Sequence, residues 1–167
     1  MFEERAVLEL KGVKIPESLT PYIDAVAAYA LVHVAGLTQF ENRRRGRYKL
    51  AVATEDGLFV RVGVAGYSSR LAGIERVDSI PELRWPVPVD VVRHARASMT
   101  PVLLFLIDTD TRHGRFARLD TLPGPAPGAK SVLVGFTRAN MLDPANLERL
   151  FAELGTRHQQ PAESSAA

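Results

Sequence analysis

Between Ser18 and Gly36, apolar residues fall at Ile23, Val26, Ala27, Ala30, Leu31 and Val34. That is the three-and-four spacing of one helical face, and it calls for a partner surface to bury it. Thr20 is placed to cap the start, Pro21 suits the first turn, Asp24 complements the positive end of the helix dipole, and Gly36 can close the helix in the left-handed conformation. His33 lies on or near the stripe. With no second histidine at ligand spacing, it reads as a packed or surface side chain rather than a metal ligand.

From Tyr48 the period shortens. Leu50 and Val52, then Leu58, Val60, Val62 and Val64, alternate around Glu55, Asp56 and Gly57, which predicts a hairpin closed by an Asp-Gly turn. Glu55 and Asp56 read as turn acids, because Asp bonds its own backbone there; metal binding is the alternative. Gly66, Gly73, Pro81, Pro86 and Pro88 then punctuate the chain, which predicts irregular backbone with only short regular pieces. Trp85 within it serves either to close the edge of the core or to stack on a base. Asp90 to Ala97 predicts a short helix capped by Asp90, with Arg93 and Arg96 on one side and His94 beside them.

Val102 to Ile107 is an unbroken apolar run after Pro101, the pattern of a central strand buried on both faces. Asp108, Asp110 and His113 follow it; carboxylates with a histidine at a strand end suit a metal, while Asp, Thr and Gly in TDTRHG suit a polar hairpin loop, the reading preferred here. A strand from Arg115 to Leu122, the loop LPGPAPGAK from Leu122 to Lys130 and a last strand from Ser131 to Phe136 complete the sheet. Asp143 caps a final helix with Pro144 in its first turn, Leu147, Leu150, Phe151 and Leu154 on one face, and Gly155 past its end.

Composition narrows the class. A chain of 167 residues, 46% hydrophobic, supports one domain over residues 1–155; residues 156–167, which lack apolar anchors, read as a disordered tail. Without cysteine there are neither disulfides nor thiolate metal sites. The charged N-terminus and the lack of an apolar run of roughly 20 residues point to a soluble cytoplasmic protein with no membrane partner. The formal charge is only +2, so distribution matters more than the total: Arg43, Arg44, Arg45, Arg47 and Lys49 stand almost together, as a phosphate-binding run or a solvated loop would. No glycine-rich phosphate loop, serine elbow or paired histidine motif is present.

Helix, strand hairpin, helix, buried strand, strand pair and terminal helix make an α/β (α+β) fold, a mixed central β-sheet flanked by helices. With GLTQFENRRRGRYKLAVATEDGLFVRVGVAGYSS as its core and PVLLFLIDTDTRHGRFARLDTL and NMLDPANLERL as its sheet and last helix, the chain resembles the PD-(D/E)XK, or restriction-endonuclease-like, superfamily, and within it a family of small bacterial domains of unknown function. In such proteins a helix precedes a strand bearing a metal-binding Asp, and the next strand carries Glu or Gln, one residue, then Lys. The positions that resemble these are Lys49, Gly63 and Ala65. A cation there repels a metal, and Gly and Ala offer it no side-chain donor. A shift of one residue would turn the required side chains to the other face of the strand.

The resemblance therefore implies a catalytically degenerate nuclease-like domain, without cofactor, that keeps nucleic-acid binding through Arg43, Arg44, Arg45, Arg47 and Lys49, or docks a protein partner. One alternative is an active nuclease using Mg2+ or Mn2+ held by relocated acids, Glu41 with Glu55, Asp56 or Asp108. Another is a structural or homo-oligomeric protein, in which Gly63 and Ala65 are small because another backbone packs there.

Overall fold

The computed structural model describes residues 7–11, 15–34, 37–42, 50–54 and 56–164. In chain order its elements are β1 (Val7–Glu9), α1 (Thr20–Val32), β2 (Leu37–Asn42), β3 (Leu50–Thr54), β4 (Phe59–Tyr67), β5 (Glu82–Pro88), α2 (Val89–Ala97), β6 (Val102–Asp108), β7 (Gly114–Arg118), β8 (Ser131–Thr137) and α3 (Pro144–Ser164). The protein is mixed α and β, with two sheets where the sequence predicts one. A five-stranded sheet runs β2-β3-β4-β6-β7, and a three-stranded sheet runs β1-β5-β8. Each is mixed: β4 pairs parallel with β6 and β1 with β5, and the other neighbours are antiparallel. No helix among the described residues is long and apolar enough to cross a membrane.

β6 is buried at every position, as its unbroken apolar run predicts. Because strand side chains alternate, β6 feeds two cores. Leu103, Phe105 and Ile107 join one cluster with Ile23, Ala27 and Leu31 of α1 and Leu147, Leu150, Phe151 and Leu154 of α3. Val102, Leu104 and Leu106 join the other, with Leu83 of β5, Val92 and Ala95 of α2, and Val134 and Phe136 of β8. The layers are thus helices, large sheet, small sheet, with α2 on the small-sheet side.

Several local expectations need correction. α1 begins after a 3-10 turn at Glu17–Leu19, so Thr20 is its first residue rather than its cap, and no side chain caps it. α2 starts at Val89 behind Pro88, which puts Asp90 in the first turn, where its charge still meets the dipole. The stretch expected to be irregular contains β5. Its prolines are tolerated because, among the described residues, β1 pairs with Glu82, Leu83 and Arg84 and none pairs with Pro86 or Pro88 on that side, so their missing N–H costs no described ladder bond. Trp85 packs against the second core. β1 and β2 are strands that the sequence reading did not separate from their surroundings. Finally, α3 does not stop at Gly155 and remains helical to Ser164, across the segment expected to be a disordered tail. Gly155 serves close approach instead: a Cβ there would lie 2.8 Å from the Asp56 Oδ2 atom of the β3–β4 turn.

Other local signals hold. Gly57 takes φ 85° in the hairpin turn. Thr54 bonds Asp56 through its hydroxyl and accepts from the Leu58 N–H at 3.1 Å. At α3, Asp143 accepts from the Asn146 N–H at 2.8 Å, a capping bond at the third position.

The two sheets are tied by one buried cation. Arg115 of β7 is fully buried. Its guanidinium donates to carbonyls of Val77 (2.9 Å) and Ile80 (2.7 Å) in the turn before β5, and of Phe136 in β8 (3.1 Å), while Nε–H donates to His113 Nε2 at 2.9 Å. Buried carbonyls left without a donor cost about 1–3 kcal/mol each. Arg115→Met should therefore lower the unfolding free energy by about 3 kcal/mol or more, measured by urea denaturation. Arg115→Lys should recover only part of it, since a single ammonium cannot span carbonyls from the turn and from β8. Wild-type stability in the Met variant would show that the cage does not couple the sheets.

Candidate functional site

On β4, Val60, Val62 and Val64 face the helices, so Arg61, Gly63, Ala65 and Tyr67 face the small sheet. Gly63 is buried opposite Leu104, and Ala65 is half-buried opposite Leu106 and packed against the second core. The two positions that resemble the Glu/Gln and Lys of a nuclease strand therefore form part of a packed floor between sheets. Arg43, Arg44, Arg45, Arg47, Lys49 and Glu55 lie outside the described residues. What is described is where the basic segment is anchored: it leaves from Asn42 and returns at Leu50, these two residues pair with each other, and Leu50 pairs with Val62, one residue before Gly63. Arg61, half-buried on the Gly63 face, adds a cation close to those anchors. Sequence reasoning passed over Arg61; its signal was a charge on the face of β4 that otherwise carries Gly63 and Ala65.

Of the acids described, two stand apart. Asp56 sits in the β3–β4 turn at one end of β4, and Asp108 lies beside Tyr67 at the other. Nine residues of strand separate those ends, a span of roughly 26 Å at about 3.3 Å per residue. Glu41 occupies a position paired with Ala51, which in turn pairs with Arg61, well inside that span. Asp56 and Asp108 cannot share a cation.

Asp108, Asp110 and His113 do come together in the β6–β7 turn, and other groups occupy them. The buried Asp108 carboxylate accepts from the Ser69 N–H (2.8 Å), the Asp110 N–H (3.2 Å) and the Thr111 hydroxyl (2.6 Å). Asp110 accepts from the Ser68 hydroxyl (2.6 Å) and the Arg70 N–H (2.9 Å). The Ser68 hydroxyl bond, then the Arg70 N–H, holds Asp110 below the usual carboxylate range. The two aspartates clasp the segment after β4 onto the turn after β6. No group of three or more His, Cys, Asp or Glu able to hold a metal occurs among the described residues. Beside Asp108, the buried Tyr67 hydroxyl has no hydrogen-bond partner; burial, and then the Asp108 charge, push its ionisation up.

Compared with protein-family models, with curated proteins and with solved structures, the chain matches none.

His113 accepts from a cation, so its Nε2 must be unprotonated and the ring neutral. Burial first, then the Arg115 charge, holds it below the ordinary value of 6.5, against weaker opposing pulls from Asp78 and Asp108. A depressed histidine favours the fold fully above its unfolded value, and that share is lost as pH falls through the folded one. Stability should therefore decline as pH drops below about 6.5, before Asp110 begins to protonate. His113→Gln, whose amide oxygen can still accept from Arg115, should flatten that decline. Denaturation midpoints at pH 7.5 and 5.5 measure it; an unchanged pH dependence in the variant would place the titration elsewhere.

Proposed function

We propose that this chain is a catalytically degenerate, restriction-endonuclease-like domain that binds nucleic acid through its basic segment. The observation that carries the reading is the coincidence of the two features: Gly63 and Ala65, packed between sheets without a carboxylate or an amine, lie next to the strand ends that anchor Arg43, Arg44, Arg45, Arg47 and Lys49. The order of elements supports it. A helix, α1, precedes the hairpin β3–β4; α2 follows; and the buried β6 returns parallel to β4, the arrangement on which the superfamily resemblance rests.

The chemistry then runs through charge alone. A nuclease of this type would spend two carboxylates on a divalent cation and a lysine on the attacking water. Here a lysine stands where the first carboxylate belongs, so the segment offers cations to phosphate directly, where a metal would otherwise mediate the contact. Arg61, half-buried on the described face of β4, offers a further cation. The reading with relocated acids is weaker, because Asp56 and Asp108 stand at opposite ends of β4.

Gel-shift titrations against single-stranded and duplex DNA and RNA should show binding that weakens with salt. Replacing Arg43, Arg44, Arg45 and Arg47 by Gln should reduce the slope of log affinity against log salt by about 3 to 4, at roughly 0.9 per phosphate contact on a duplex. Arg61→Gln should remove about one more. Salt-independent binding, or none, would remove the proposal. Incubated with supercoiled plasmid in Mg2+ or Mn2+, the protein should leave it intact; cleavage abolished by Glu41→Ala would favour the active-nuclease alternative.

A further inference from the structure

A second candidate site lies along α1. Tyr22, Val26 and Tyr29 of α1, with His33 at its end, face Leu142 and Arg112 across a groove of about 540 Å³. The volume suits a small organic ligand, and the walls are mostly apolar. The Tyr29 and His33 rings meet edge to face, with centroids 4.5 Å apart, and stiffen one wall.

Two further polar groups, Arg112 and Tyr22, meet toward its other end. Arg112 is the one non-glycine residue with positive φ, 64°, among the described residues. Its guanidinium reaches across the β6–β7 turn to α1. Its Nε–H donates to the Tyr22 phenol oxygen at 3.1 Å. That bond fixes the guanidinium plane and leaves its terminal N–H groups and the Tyr22 O–H as donors side by side. Among the described residues, no carboxylate lines the groove. Donors without acceptors, at one end of an apolar trough, match an anionic head on an apolar body.

We propose that this groove binds a small amphipathic monocarboxylate, its carboxylate held by Arg112 and Tyr22 and its apolar part lying between Val26, Tyr29 and Leu142. Arginine takes a carboxylate through two parallel hydrogen bonds, and such charge-assisted bonds are roughly twice as strong as neutral ones. A neutral molecule of the same shape would keep the apolar contacts and lose the head.

The test uses the full chain and two probes, 4-phenylbutyrate and 4-phenylbutan-1-ol, followed by NMR of the Tyr and His ring protons and the Leu and Val methyls. Phenylbutyrate should shift the Tyr22, Tyr29 and Leu142 signals saturably, and the alcohol should bind about tenfold more weakly. Arg112→Gly keeps a residue that accepts positive φ, so the turn should fold, and the acid should then bind no better than the alcohol. Ala25→Trp, at an exposed position on the rim, should block both probes. No saturable shift at millimolar phenylbutyrate, equal affinity for acid and alcohol in the wild type, or undiminished acid binding in Arg112→Gly would each overturn the proposal. So would concentration-dependent broadening of the same signals without a probe, which would assign the groove to a second copy of the chain.

Discussion

A guanidinium enclosed by backbone carbonyls is the contact on which the arrangement of the two sheets depends. Arg115 projects from β7 on the face of the large sheet that meets the small one, and its acceptors belong to the turn before β5 and to β8. Apolar packing between sheets is non-directional and tolerates sliding. A planar fork of donors does not, because its bonds weaken steeply when misaligned. The hydrophobic faces of β6 and β8 bring the sheets together, and Arg115 sets where along one another they stop. The arrangement needs His113 neutral, so a single cation links the register of the sheets to the protonation of the β6–β7 turn.

Among the described residues, the same face of the large sheet gathers no set of carboxylates. For a hydrolytic metal, carboxylates must reach one point from neighbouring strands. On this face β4 presents Gly63 and Ala65 and β6 presents Leu104 and Leu106, with Arg115 of β7 beside Leu106 already enclosed by carbonyls, Arg61 near the β3 hairpin, and the nearest carboxylate, Asp108, at the far end. Asp108 is buried and saturated by donors from the clasped loops. Its burial is affordable because each oxygen has a partner, whereas an ion pulled into the same place would have to displace them. The polar groups that sequence inspection gathers as a ligand set are the ones the fold uses to close its turns.

How much of this was legible depended on whether a signal was local. The burial of β6, the Asp-Gly hairpin, the Asp143 cap and the inner face of α3 follow from neighbours in sequence, and the structure has them. β5 was not legible, because its prolines argue against a strand until one knows that, among the described residues, its pairing with β1 ends at Arg84, opposite Glu9. The end of α3 was misjudged because a glycine near a helix terminus signals a cap, while its actual use, admitting Asp56 from a turn roughly a hundred residues earlier, is tertiary. For the site, Asp108, Asp110 and His113 could be seen as neighbours, but the hydrogen bonds of the two aspartates to Ser68 and Ser69 depend on which strand lies beside β6. Arg112 carried no sequence mark at all; only its backbone conformation and the nearby Tyr22 single it out.

Near-neutral composition hides a polarised use of charge. The described acids are largely engaged close to home: Asp56 with Thr54 in the hairpin turn, Asp108 and Asp110 in the clasp, Glu82 against Arg84 at 3.2 Å, Asp120 against Arg118 at 2.5 Å, and Asp143 at the head of α3. Residues 43–49, by contrast, contain five cations and no acid. Counterions respond to the local density of charge, since screening confines each interaction to about 10 Å at ordinary salt. A +2 total is therefore compatible with a strongly cationic segment, provided the compensating acids are spread among turns and caps elsewhere. Charge in this chain is better described by where it is concentrated than by its sum.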